Sequence, residues 1–582
     1  VSTSTAATDE LPTLADRTRP MAVAAEQAAP GQATEQAATE QADPAQAALE
    51  HTGPAQAGTD QPTAQQPLVG PARRPGTRVT TPGARLIALR VRLTAQRMRL
   101  TALLARAAAL LVGLRGRDLV GVGLLAGVLL AVLAGRVTGG LTGPAALVLA
   151  VFAVATWAWI ATDLDDTAVA LAAALVLALT GVLPADELFA SLGSDVVWLL
   201  VAAFVVGVAV AASGLADRAA SRLLTRARSP RGLVHLTTLA LVATTFAVPS
   251  TSGRAALALP VFLALARVLR DRPQLVRGLA LLVPTVVLLS AVGSLLGAGA
   301  HLVTSAVLTE ATGEGVSFLR WVLLGLPLAL VSSHLAAEVV LLLSTDRAER
   351  ATPLRVSAAE LSAEVGTPAA LTREERRVLG LLAVVVTLWC TEALHGLSPA
   401  LVALGAALVV TAPGFGRTRL GDALVQVPWS LLLFLAATLA LGSALVGSGA
   451  AAALAGVAIG PATGSPVAFL VVVVVVSTAA HLVIASRTAR SAVLVPLVVA
   501  LAPVAGVDPV AAAMASTAAA GFCHTLPASA KPVAVFARVQ GVPTYGPREL
   551  RRLSAVLGPL TAALVVAFSL VVWPVLGLPL AP

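Results

Sequence analysis

The chain has 582 residues, of which 57% are hydrophobic, 12% charged and 3% aromatic, with a formal net charge of +9. A soluble protein of this length would form about three or four domains. A mean hydropathy of +0.86 excludes that, because soluble domains need far more polar surface to cover their cores. The chain reads as an integral membrane protein. Its 40 basic residues are all arginine apart from Lys531.

Residues 1–72 are rich in Ala, Gln, Thr, Glu and Pro and show no apolar periodicity. Such a stretch cannot bury enough surface to offset its ordering entropy, so a disordered cytoplasmic tail is expected. Residues 73–118 follow as a basic juxtamembrane segment. There Arg85, Arg90, Arg92, Arg97, Arg99 and Arg106 interleave with Leu86, Leu89, Leu93, Leu100, Leu103 and Leu104. This suits an amphipathic helix on an anionic leaflet, or equally a basic tail that only sets topology. Its position against a membrane span argues against nucleic-acid binding.

From Leu119 onward, apolar runs of membrane-spanning length succeed one another. The expected crossings are 119–135, 144–161, 167–183, 196–213, 278–309, 319–343, 378–395, 398–412, 429–447, 509–540 and 553–580. Two further stretches, 233–268 and 467–502, are apolar but broken centrally by small polar residues and arginine. Each reads as a re-entrant hairpin, since irregular backbone at membrane depth must be buried or line a cavity. With the N-terminus inside, the predicted cytoplasmic loops collect most of the arginines. The outer loops hold Asp186, Glu187, Asp195, Glu310, Glu314 and Asp508, as the positive-inside rule requires. Two full crossings per broken stretch would satisfy the same rule.

The two broken stretches resemble each other. Residues 250–261 read STSGRAALALPV and residues 486–497 read SRTARSAVLVPL. Around them Thr162-Asp163 matches Thr391-Glu392, Ser213-Gly214 matches Ser448-Gly449, and Ala298–His301 matches Ala528–Lys531. Similarity at a fixed offset marks an internal repeat. The first span and first repeat would occupy 119–344. A cytoplasmic linker covers 345–377, the second repeat core 378–552 and a last helix 553–582. Five crossings per repeat would invert the second copy, an arrangement typical of secondary transporters.

Arg254, His301, Arg487, Arg490 and Lys531 all fall at or beside these breaks, and no acid lies near them in the local sequence. An ionisable group at that depth needs a partner or a cavity. Arginines that share a site suit carboxylate, sulfate or phosphate. Alternatively, each arginine pairs with a backbone carbonyl or with a distant acid such as Asp163, Glu338 or Glu392.

On these residues the sequence resembles the divalent-anion/sodium symporter family, whose members carry dicarboxylates, citrate or sulfate. The family's Ser-Asn-Thr hairpin motifs correspond to Ser250-Thr251-Ser252 and Ser486-Arg487-Thr488, which run on to Pro260 and Pro496. The resemblance covers roughly residues 145–580. It implies an all-α polytopic membrane protein with about 11 crossings and two re-entrant hairpins. An inverted repeat, an elevator mechanism and a homodimer in the lipid bilayer come with it. It also implies a small anionic substrate held by Arg254 and Arg490, with hydroxyls from Ser250, Ser252, Ser486 and Thr488. His301 and Lys531 would add charge, and His301 would be the residue to couple protons. Both motif asparagines are replaced, by Thr251 and Arg487. Sodium, the family's coupling ion, is disfavoured beside a guanidinium, and no other cofactor or metal is expected.

Other residues carry less. His334 and Glu338, one turn apart, suit a structural ion pair, and His481 and His524 suit packing roles. Cys390 and Cys523 lie in apolar stretches without metal-ligand spacing, so both read as small buried hydrophobes. No zinc-ligand, nucleophile-elbow or phosphate-loop motif occurs, which argues against an enzyme. Rival readings are a cation/proton antiporter, which should carry carboxylates at the breaks, and a non-transporting membrane sensor or scaffold.

Overall fold

The computed structural model describes residues 116–357, 361, 364, 370–457 and 465–581, and among these every regular element is helical. The expected tail at 1–72 and nearly all of the basic segment at 73–118 lie outside the described residues. The first helix is α1 (Gly116–Val137). The first half continues through α2 (Gly143–Ala161), α3 (Asp166–Leu179), α4 (Asp195–Ser213), α5 (Leu215–Leu224), α6 (Pro230–Ala243), α7 (Thr251–Val268), α8 (Pro273–Leu289), α9 (Gly299–Thr312) and α10 (Phe318–Ser344). The second half is α11 (Arg373–Cys390), α12 (Pro399–Val410), α13 (Trp429–Gly447), α14 (Ala450–Val457), α15 (Pro466–Ala479), α16 (Arg487–Leu501), α17 (Pro509–Ala519), α18 (Lys531–Ala537) and α19 (Pro547–Ala567). Among the described residues, seven helices are long and apolar enough to cross a membrane. They include α7 of the first hairpin and α8 of the first broken span, whereas α15 and α17, of the second hairpin and second broken span, are among the shorter apolar helices.

Local chemistry explains why each half folds alike. Gly214 (φ 73°) and Gly449 (φ 77°) turn the chain after α4 and α13, a left-handed conformation that glycine adopts without steric cost. Each hairpin then opens on a serine cap followed by proline in the first turn. Ser229 accepts from the Gly232 N–H and Ser465 from the Ala468 N–H, a pairing that favours helix initiation. Both hairpin tips close on another serine cap. Ser250 accepts from Gly253 N–H at 3.3 Å, and Ser486 from Ala489 N–H at 3.2 Å.

The broken spans also match. Ala298 (φ −159°, ψ 150°) precedes α9 and Ala530 (φ −157°, ψ 143°) precedes α18, both extended. At the first break Gly297 is forced, because a Cβ there would lie 2.0 Å from the Ala291 carbonyl oxygen.

Packing relates the halves reciprocally. α3 packs on α13 while α4 packs on α12; α8 packs on α18 while α9 packs on α17; α7 packs on α18 while α9 packs on α16. Such an exchange of partners is what a two-fold relation between two copies demands. By the same order α19 is the counterpart of α10. The last helix, which starts at Pro547 and runs on through a π-helical turn to Val575, therefore belongs with the second half.

Candidate functional site

The first residues of α3, α7, α9, α16 and α18 meet around one cavity of about 530 Å³. α7, α9 and α16 are 18, 14 and 15 residues long, so their N-terminal N–H groups and dipoles favour negative charge there. Ser250, Thr251, Ser252, Ser486, Arg487, Thr488 and Lys531 all line it. Pro249, Leu288, Ala298, Leu431 and Phe434 belong to the apolar part of the wall.

Arg487 is the first residue of α16 and is held from behind. Its Nη1 donates to the Leu288 carbonyl at 3.3 Å and its Nη2 to Nε2 of His301 at 3.2 Å. Its buried Nε has no partner. Gly521 makes room for it, since a Cβ there would come within 3.0 Å of Nη2. Lys531 is exposed to the cavity and makes no hydrogen bond or ion pair among the described residues.

Three expected site residues are not at the cavity. Arg254 and Arg490 are each 0% exposed. Arg254 donates to the carbonyls of Leu241 and Val287 and to the hydroxyls of Thr244 and Ser290, at 2.6–3.0 Å. Arg490 donates to the carbonyls of Ile484, Ala485 and Ala520. Val287 and Ala520 lie at the C-terminal ends of α8 and α17, where orphan carbonyls and the negative dipole end suit a guanidinium. Each arginine thus ties a hairpin to its neighbouring broken span, the carbonyl-paired alternative raised from sequence. Arg487 and Lys531, not these two, line the cavity. His301 is also fully buried, with Nδ1 on the Ser294 carbonyl at 3.0 Å and its ring against Trp321. It supports Arg487 from outside the cavity.

Asp165 and Asp166 also line the cavity, so the absence of acids near the breaks holds only along the local sequence. Asp165 Oδ1 caps α3, accepting from the N–H groups of Thr167 and Ala168 at 2.9 and 3.2 Å. Asp166 lies against the Ser486 hydroxyl and within the field of Lys531. The available signal was an Asp-Leu-Asp-Asp run at 163–166 that opens an apolar helix. Thr167 and Ser430 add polar lining, with the Thr167 hydroxyl bonded to the Ser430 carbonyl at 3.0 Å.

Other described histidines have local partners. Glu338 pairs with His235 and Arg231 rather than with His334, which instead bonds His235. His481 bonds the Thr478 carbonyl and the Thr525 hydroxyl. A second crevice of about 440 Å³ beside α5 is lined almost wholly by apolar side chains. Its charged residues belong to α5, where Arg218 already pairs with Glu375.

Apolar helices of spanning length, two helical hairpins, two interrupted spans and a polar cavity among their ends define a membrane transporter. The chain belongs to the citrate transporter family, whose model matches residues 150–519. A membrane protein of Cupriavidus necator is 23% identical over 78% of this chain and 93% of its own length. The sodium-dependent dicarboxylate transporter SdcS of Staphylococcus saprophyticus is 24% identical over 66% of this chain and 78% of its own length. Among solved structures, the YdaH transporter of Alcanivorax borkumensis aligns with a TM-score of 0.45 and 19% identity, over 70% of this chain and 89% of that one.

Proposed function

We propose that the protein carries small carboxylate anions, of the citrate and dicarboxylate class, across the cytoplasmic membrane. The observation that carries this reading is the convergence of three helix N-termini, Arg487 and Lys531 on one cavity. One substrate carboxylate would sit on the Arg487 guanidinium, whose planar fork suits it. Lys531 would hold a second, and the hydroxyls of Ser250, Ser252, Ser486 and Thr488 would complete the shell.

Fixed charge takes the place of sodium in this reading. A guanidinium at the second hairpin tip repels a cation where neutral oxygens would bind one, so transport runs without sodium, by exchange, uniport or proton coupling. With no anion bound, Asp165 and Asp166 balance Arg487 and Lys531, and the cavity carries no net charge into the bilayer. The N-terminus is cytoplasmic, the two halves are inverted, and a homodimer moves its hairpins by an elevator motion.

Counterflow of labelled citrate, succinate and sulfate into potassium-based proteoliposomes tests this directly. Uptake of at least one of them without sodium is expected, and uptake that strictly requires sodium refutes the fixed-charge account. The carboxylates Asp165 and Asp166 favour a second reading, in which a cation is the cargo. Sodium/proton exchange by the same vesicles, with no organic anion present, would select it.

A further inference from the structure

The hairpin formed by α6 and α7 has its base on an arginine-rich face that also holds the start of α8, the end of α10 and the start of α19. Three arginines on this face have an acid: Arg231 pairs with Glu338, Arg267 with Glu364 and Arg272 with Glu349. Arg277 of α8 and Arg552 of α19 are exposed and make no hydrogen bond or ion pair among the described residues. They flank a pocket of about 190 Å³ between α8, α10 and α19. Ser344 stands at its rim, and Leu281 and Val340 line it one turn deeper along α8 and α10. Glu549 also borders the pocket; its Oε2 accepts the Gly546 N–H at 3.0 Å and its carboxylate lies in the field of Arg277, so the mouth carries two positive charges against one negative.

A pocket with two cations at the mouth and leucine and valine beneath is matched to an amphiphile with an anionic head. We propose that it holds the phosphate of an anionic phospholipid. Arg277 and Arg552 clasp the phosphate oxygens and Ser344 donates its hydroxyl, while the acyl chains stay in the surrounding bilayer. The positive-inside rule turns an arginine-rich face toward the anionic cytoplasmic leaflet. Basic pockets between helices on that side are suited to such head groups. The two arginines come from different halves of the chain, so one lipid would join α8 to α19 and stabilise their contact. This inference needs only the membrane setting and is independent of the cargo.

The test is thermal unfolding of the purified protein in a neutral detergent, with added phosphatidylglycerol, phosphatidylcholine or inorganic phosphate. Phosphatidylglycerol should raise Tm and the other two should not. The Arg277→Gln/Arg552→Gln variant should lose that rise, while Arg551→Gln, whose arginine lies outside the pocket, should keep it. An undiminished rise in the double variant would overturn the proposal. An equal rise with inorganic phosphate would overturn it too, since the site would then take a free anion. If the double variant cannot be purified, Arg277→Gln alone should show a smaller rise, and an undiminished one counts against the proposal.

Discussion

Arg487 donates through Nη2 to Nε2 of His301 at 3.2 Å. A guanidinium has only donors, so Nε2 must be the accepting, unprotonated nitrogen. The proton then sits on Nδ1 and is donated to the Ser294 carbonyl at 3.0 Å. In this arrangement His301 is neutral and holds the arginine in place rather than adding charge.

Replacing His301 by alanine should therefore loosen Arg487 without removing any cavity charge. A hydrogen bond to a charged group contributes about 1.5–3 kcal/mol, so citrate affinity should fall roughly tenfold to a hundredfold. Equilibrium binding to the purified variant checks this. Unchanged affinity would mean that Arg487 is positioned by the Leu288 carbonyl alone.

Arg254 and Arg490 should behave differently from Arg487. Glutamine at either position leaves buried carbonyls unpartnered, at roughly 1–3 kcal/mol per group. The expected outcome is a lower Tm for Arg254→Gln and Arg490→Gln, larger for Arg254, which has four partners. Wild-type Tm with lost citrate binding would return these arginines to the site.

Glu375 lies before the apolar stretch of α11 and is 2% exposed, 2.5 Å from the Arg218 guanidinium. Burial pushes its carboxyl up, but the Arg218 and Thr372 hydrogen bonds outweigh it, and the net shift is downward. A depressed folded value stabilises the protein above the ordinary carboxylate range, and that stability is lost as pH falls through the folded value. Wild-type Tm should therefore hold from neutral down to about pH 4.5 and decline as the pH falls below it. Glu375→Gln should start lower and decline less, and parallel curves would contradict the pairing.

Much of the architecture was legible in the sequence. The broken apolar stretch expected at 233–268 is two helices, Pro230–Ala243 and Thr251–Val268. The one expected at 467–502 is Pro466–Ala479 and Arg487–Leu501. Apolar length and small polar interruptions encode these locally. The direction of each arginine was not legible. Arg487 is the first residue of its helix and reaches the cavity, whereas Arg254 and Arg490 sit a turn further in, wedged between helices. Asp165 and Asp166 escaped because they reach Ser486 and Lys531 only through the packing of α3 on α13, more than 250 residues away in the chain.

Citrate binding to wild-type and Arg487→Gln protein, with both shown to unfold at similar temperature, is the measurement that bears most directly on the site. Loss of a charge-assisted pair should weaken binding at least about tenfold in the variant. Equal affinity in the two proteins would place the anion elsewhere and contradict the account.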